Sequence, residues 1–297
     1  MRTALVTGSA GFLGRHMVTG LAAAGYRVWG ADIAVERGRW DALHLFKNTT
    51  HHYDVVVHCA AVAPHRSAID GRALTVGAGN LELDSAMFQW AARTRPGRVV
   101  YLSSSAAYPV DLQDRPPYAL SEGDIDLSAP EAPDAIYGAV KLVGERLAAA
   151  YRAQGGAVTV FRPFSGYGED QSSEFPFGAF RDRARRREDP FTIWGDGTQV
   201  RDWVHVDDVV GAVLAAVEAE HDGPLNIATG IGTSMAELAE MFCAEAGYKP
   251  RFEFLTDKPA GVAYRVGDPT LLNEVYVPRV TLAEGVKRAL AAPLINM

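Results

Sequence analysis

The chain has 297 residues, 48% of them apolar, enough to bury the core of one large α/β domain or two modest ones. Its 36 acidic against 29 basic side chains leave a formal charge of −7, which argues against a general nucleic-acid binder and requires local arginines for any anionic ligand. Cys59 and Cys243 fit no metal spacing, no apolar run approaches the ~20 residues of a membrane span, and the first residues lack a basic segment followed by a cleavage site. A cytoplasmic protein with reduced, mostly buried thiols is therefore expected.

In chain order, "TALVTG" (3–8) reads as a buried strand, "GFLGRHMVTGLAAAG" (11–25) as a helix and "YRVWGAD" (26–32) as a second strand. "YDVVVHCAA" (53–61) and "GRVVYLSSS" (97–105) are further strands, separated by a helix over 80–95. A long helix over 135–155 and the strand "AVTVFRP" (157–163) follow. Continuous apolar strands alternating with helices predict a parallel sheet covered on both faces. Only 21 residues separate Asp32 from Asp54, too few for a helix, a strand and another helix, so one unit is shortened or missing. After residue 163 the rhythm breaks. Residues 164–203 are rich in Gly, aromatics and charge, 205–220 form a helix with an acidic start, and the tail holds helices at 233–247 and 281–292 around a short strand at 251–255. The basic run "RDRARRRED" (181–189) reads as a solvated helix face, His51–His52 as a surface pair rather than a metal site, and Asp207–Asp208 as the charged head of a helix.

Gly8, Gly11 and Gly14 form a G-x-x-G-x-x-G turn between the first strand and the first helix. Missing side chains there let a pyrophosphate reach the backbone, and the helix N-terminus presents N–H groups and a positive dipole end. A glycine triplet alone also suits any tight turn; its place between strand and helix makes it a dinucleotide fingerprint. Asp32 ends the second strand 18 residues beyond Gly14, where a carboxylate accepts from ribose hydroxyls and favours NAD over NADP. Arg37 and Arg39 lie near enough to host a 2′-phosphate, so the alternative stays open. "AIYGAVK" sets Tyr137 and Lys141 at i and i+4 on one helix face. A free tyrosine titrates near pH ~10, and a neighbouring ammonium brings the phenol into range for acid/base work. The serine run Ser103–Ser105 ends a sheet strand, where ligands bind in such folds.

Together, the glycine turn, "HCAA", the serine run and Y-x-x-x-K resemble an extended short-chain dehydrogenase/reductase of the nucleotide-sugar epimerase/dehydratase family. "RPFSGYGEDQ", "IWGDGTQVRDWVHVDD" and "LNIATG" resemble later segments of the same family, so the likeness spans nearly the whole chain. The resemblance implies an α/β fold: a Rossmann-type doubly wound sheet over 1–163, with 200–229 returning to it, and a smaller, mostly α substrate lobe from 164–199 and 230–297. It implies NAD held by Gly8, Gly11, Phe12, Leu13, Gly14, Asp32, Ala60, Ala61, Asn80, Ser103, Tyr137, Lys141 and Pro163. Register to Tyr108 in "SSSAAYP" selects Ser104 as the catalytic serine beside Tyr137 and Lys141, with Ser105 as runner-up. Substrate contacts fall to Ser104, Ser105, Ser165, Arg201, Arg265 and Asp268, the two arginines on the diphosphate, and no metal is expected.

The departures narrow the chemistry. Ser105 and Ala106 stand where family dehydratases carry an acidic pair, and Ala106 where related decarboxylases carry Glu and 3,5-epimerases Cys, so a second acid/base is missing. Ser165 replaces the usual Asn and Pro109 the usual Gly, while Asp41 is a candidate remnant of the adenine clamp. The reading is an NAD-dependent epimerase acting at C4 of a nucleotide-diphosphate sugar, with a 4-ketosugar reductase as the alternative and an idle NAD-binding sensor as a third. A homodimer is expected through the helices at 80–94 and 135–153, using Met87, Phe88, Trp90, Leu142, Val143, Leu147 and Tyr151.

Overall fold

A computed structural model describes residues 1–34, 41–62 and 71–293; Arg37 and Arg39 lie outside them. Among the described residues six strands build one all-parallel sheet. Its strands are β1 (Thr3–Thr7), β2 (Arg27–Ala31), β3 (Val55–His58), β4 (Arg98–Leu102), β6 (Val158–Pro163) and β10 (Gly223–Ile227), β5 (Ala119–Leu120) lying elsewhere. They lie in the order β10-β6-β4-β3-β1-β2. The reversal of order falls between β1 and β3, where the two carboxyl ends open a ligand crevice. Helices α1 (Phe12–Ala23), α2 (Ala42–Asn48), α3 (Ala73–Thr94) and α4 (Ala135–Ala153) connect these strands. Helix α6 (Val206–Glu218), which follows α5 (Pro176–Arg185), precedes β10. One apolar core gathers Met17, Leu21, Val209 and Val213 against one sheet face; a second gathers Phe46, Trp90, Tyr101 and Tyr151 against the other.

The short stretch after Asp32 has a structural counterpart. Among the described residues β2 is the edge of the sheet and only the seven-residue α2 stands between β2 and β3. Asp41 is the N-cap of α2, accepting from the Leu43 N–H at 2.8 Å. Helix α3 begins at Ala73, before the expected residue 80, because Gly77 and Gly79 hid its periodicity.

A second layer holds β7 (Ser165–Tyr167), β9 (Val200–His205), β11 (Gly232–Ser234), β13 (Tyr264–Gly267) and β5, with β8 (Phe191–Trp194) and β12 (Phe252–Leu255) as a separate pair. Helices α5, α7 (Met235–Glu245) and α9 (Leu282–Ala291) complete it, while α8 (Thr270–Asn273) packs Leu272 into the first core beside β10. β10 joins the first sheet but β9 joins the second, so the segment 200–229 is shared between the layers.

The basic run at 181–189 is more than a solvated face. Arg185 donates to the Ala289 and Ala292 carbonyls and Arg187 to those of Ala246 and Gly247, so two guanidinium groups satisfy the last carbonyls of α9 and α7. Arg181 is buried and donates to Glu169 O and Gln171 O. The cap of α6 is His205, which accepts from the Asp207 N–H at 3.1 Å. Asp208, in the first turn, clamps the following loop by accepting from Tyr276 Oη and the Arg279 and Val280 N–H groups.

Candidate active site

The glycine turn after β1 is shaped by contacts that exclude side chains. Gly8 has φ +67°, the left-handed region, and a Cβ on it would meet Ala60 N at 2.7 Å. A Cβ on Gly14 would lie 1.9 Å from Gly8 O, whereas on Gly11 it would meet that oxygen at 3.2 Å. The helix start is capped by Gly11 without any side-chain bond, which leaves it open to an outside acceptor. Phe12 packs on His16 and Leu13 against the core, both half-buried at the head of α1. Asp32 at the end of β2 accepts from the Ala10 and Ala34 N–H groups, both at 2.9 Å, tying the glycine turn to the second strand. Ala60 and Ala61, half-buried after β3, form the opposite wall.

Helix α4 carries Tyr137 and Lys141 across this crevice. Its first turn rests on the 3-10 turn Ser105–Ala107: Asp134 N donates to Ala106 O at 3.0 Å, and a Cβ on Gly138 would lie 2.0 Å from that same oxygen. Gly138 is therefore what lets the residue next to it, Tyr137, stand against the serine segment. Lys141 is buried with its Nζ 5.9 Å from the Tyr137 ring centroid. Ser104 is half-buried and caps the 3-10 turn by accepting from Ala106 N at 3.1 Å, while Ser105 is buried. The exposure of the two favours Ser104 over Ser105 as the hydroxyl facing the crevice.

Two residues expected on the cofactor have side chains bonded within the protein. Ser103 is buried and its hydroxyl donates to Glu145, which also takes a bidentate bond from the buried Arg162. Asn80 is fully buried; its amide accepts from Val62 N at 3.0 Å and donates to Val62 O and Val76 O, both at 2.8 Å. It braces the loop after β3. Both arrangements have one cause: a buried hydroxyl or amide must be satisfied by the nearest buried partner. Burial also pushes the Cys59 thiol up to about 12, so it stays protonated.

Across the crevice, Arg201 and Arg265 are direct register partners on the parallel pair β9–β13. Their side chains arise from neighbouring strand positions although 63 residues separate them. Arg265 pairs with Asp134 at 2.6 Å and with Gln113, and Arg201 donates to Val200 O and Ala260 O. Asp134 immediately precedes α4, so the Arg265 ion pair joins the second layer to the start of the Tyr137 helix. Pro163 and Ser165 flank the junction of β6 and β7 and are half-buried. The Asp268 carboxylate accepts from Thr270 N and Oγ1 and shapes the entry to α8. The residues that sequence reasoning missed are His58, Asp84 and Tyr101, a buried polar group behind Lys141. Only the unusual acid in "NLELD" signals them.

A model of the NAD dependent epimerase/dehydratase family matches residues 4–228. The chain is 30% identical to a Streptomyces dTDP-4-dehydro-6-deoxy-D-allose reductase, over 92% of this chain and 90% of the relative. It resembles the structure of a UDP-glucose 4-epimerase from Thermotoga maritima with UDP-glucose, at a TM-score of 0.83 and 26% identity, covering 97% of each chain. The structure of MoeE5 in complex with UDP-glucuronic acid and NAD matches at a TM-score of 0.83 and 28% identity, over 97% of this chain and 98% of that one.

Proposed function

The chain belongs to the NAD dependent epimerase/dehydratase family, and from that premise we propose that it is an NAD-dependent epimerase inverting C4 of a nucleotide-diphosphate sugar. The observation that carries this reading is a single acid/base pair, Tyr137 with Lys141, facing a serine turn whose neighbours Ser105 and Ala106 supply no second acid. Dehydration and 3,5-epimerisation each need another proton carrier on the sugar; oxidation and re-reduction at one carbon do not.

The residues present fit the cofactor. The Gly8–Gly14 cradle is one that any Cβ would fill, the head of α1 is uncapped, and Asp32 sits where a ribose would be held. Bound there, NAD would accept a hydride from the sugar and return it. Tyr137 Oη takes the proton of the C4 hydroxyl as the ketone forms and gives it back at the end, with the Lys141 ammonium beside it to balance the charge that develops on the oxygen. Ser104 Oγ holds the same oxygen in line with Tyr137. Arg201 and Arg265 grip the diphosphate through charge-assisted bonds. Affinity is then concentrated at the nucleotide end, and the sugar ring is left free to turn its other face.

The relative at 30% identity supports a second reading, reduction of a 4-ketosugar on the same scaffold. One experiment separates the two. Purified protein is incubated with a panel of nucleotide-diphosphate sugars without added cofactor. The appearance of the C4 epimer supports the first reading; turnover only with stoichiometric reduced nicotinamide cofactor supports the second.

A further inference from the structure

Behind Tyr137 and Lys141, polar side chains from separate elements close on one another away from solvent. Asp84 of α3 is 1% exposed. Its Oδ2 accepts from the Tyr101 hydroxyl of β4 at 2.5 Å and lies 4.0 Å from Lys141 Nζ. Its Oδ1 lies 3.2 Å from His58 Nε2 of β3, and His58 Nδ1 lies 2.8 Å from Thr7 Oγ1 of β1. Gly144 makes the room: a Cβ there would fall 1.8 Å from the Tyr101 hydroxyl oxygen and 2.9 Å from Asp84 Oδ2. Burial by itself would raise the Asp84 carboxyl, but the Lys141 ammonium and the His58 and Tyr101 hydrogen bonds outweigh it and leave the carboxyl below its ordinary range.

A dry ammonium loses its proton unless an anion close by compensates the lost hydration. The groups facing Lys141 narrow the choice of anion. On its own helix Glu145 is spent bidentately on Arg162, and Tyr137 is the group to be served. From β4, Tyr101 is raised well above its ordinary value, chiefly by burial, and is a neutral donor. From β3, His58 supplies no negative charge, and the adjoining Cys59 thiol is protonated. Among the described residues Asp84 is the remaining carboxylate facing the amine.

We infer that Asp84 is the fixed counter-ion of Lys141, a positioning residue that keeps the amine charged and in place beside Tyr137. The inference rests on Lys141 acting on Tyr137 as proposed above, and it adds to that site a carboxylate that never touches the sugar. Asn80 and Asp84 stand at i and i+4 on α3, one bracing the loop after β3 and the other holding the lysine.

The test reads the charge of Lys141 directly, without turnover. The chain has five lysines, so the side-chain nitrogen signals in a protein labelled with [15N]lysine are few, and Lys141→Met identifies the one concerned. Asp84→Asn removes the charge while leaving groups to bond Tyr101 and His58; Asp84→Thr is a second uncharged variant should the first fail to fold. In either folded variant, confirmed by thermal unfolding, the Lys141 titration midpoint should fall by about one to three pH units. Asp84→Glu should keep it near the wild-type value. The alkaline limb of the turnover profile should move down with the midpoint. A midpoint unchanged in a folded uncharged variant overturns the inference. A lowered midpoint in a protein that turns over no nucleotide sugar leaves the counter-ion standing and refutes the proposed function instead.

Discussion

At residue 14 a methyl group would lie 1.9 Å from a backbone oxygen that cannot move without distorting the turn after β1. Gly14→Ala should therefore weaken NAD binding by more than about tenfold and lower the melting temperature, whereas Gly11→Ala, whose Cβ would meet Gly8 O at a tight but less severe 3.2 Å, should do less. Fluorescence titration with NAD and thermal unfolding measure the two effects separately. At Tyr137 the ring packs but only the hydroxyl carries a proton. Tyr137→Phe should reduce turnover by roughly 10²–10⁴-fold and leave NAD affinity nearly intact. A variant within tenfold of wild type would mean that another base is used.

Strand pairing sets the second group of expectations. β9 and β13 bring Arg201 beside Arg265, so both should act on the same diphosphate. Each removal to alanine should weaken the bare nucleoside diphosphate about as much as the whole sugar nucleotide, by roughly tenfold to a hundredfold, since a charge-assisted bond is worth about 1.5–3 kcal/mol. Calorimetry with UDP, GDP, CDP, ADP and dTDP reads this out, and unchanged binding in both variants would detach β9 and β13 from the site. β7 and β9 are joined beyond their ends by Glu169, 3.3 Å from His205 Nε2. The bond to His205 holds the Glu169 carboxyl down from 4.5 to about 2. A depressed carboxyl stabilises the fold above its unfolded value and loses that contribution as pH falls toward its folded one. The stability gap between wild type and Glu169→Gln should thus be full above pH 4.5 and close as pH approaches 2, which urea midpoints across that window would trace.

On the scale of the whole molecule, the faces of α3 and α4 decide how copies could meet. Met87, Phe88, Trp90 and Tyr151 belong to the protomer's own core, Leu142 is buried and Leu147 packs against that core, so six of the seven residues expected at a dimer contact face inward. Val143 remains exposed, with Leu74, Leu81 and Ile136 on the same two helices. We expect a homodimer through these four positions. Light scattering should give twice the protomer mass at micromolar concentration, and Leu81→Lys with Val143→Lys should return it to one. A wild-type protein that scatters as a monomer would remove the dimer. Among the described residues no helix is long and apolar enough to cross a membrane.

Local patterns in the chain determined the alternating strands and helices, the glycine cradle with Asp32 beyond it, and Tyr137 and Lys141 on one helix face. Each follows from a short-range rule: a period of two or 3.6, a residue without a side chain, a spacing of one turn. Tertiary structure decided what each polar side chain was free to do. Asn80, Ser103 and Asp268 carry suitable chemistry, yet they are committed to Val62, Glu145 and Thr270 by neighbours that sequence spacing does not reveal. Arg201 met Arg265 through strand register, and Asp84 met Lys141 because a glycine left space between two helices and the sheet. The physical reason is that periodicity is set along the backbone, while hydrogen bonds and ion pairs in a dry interior go to whichever partner packing brings within reach.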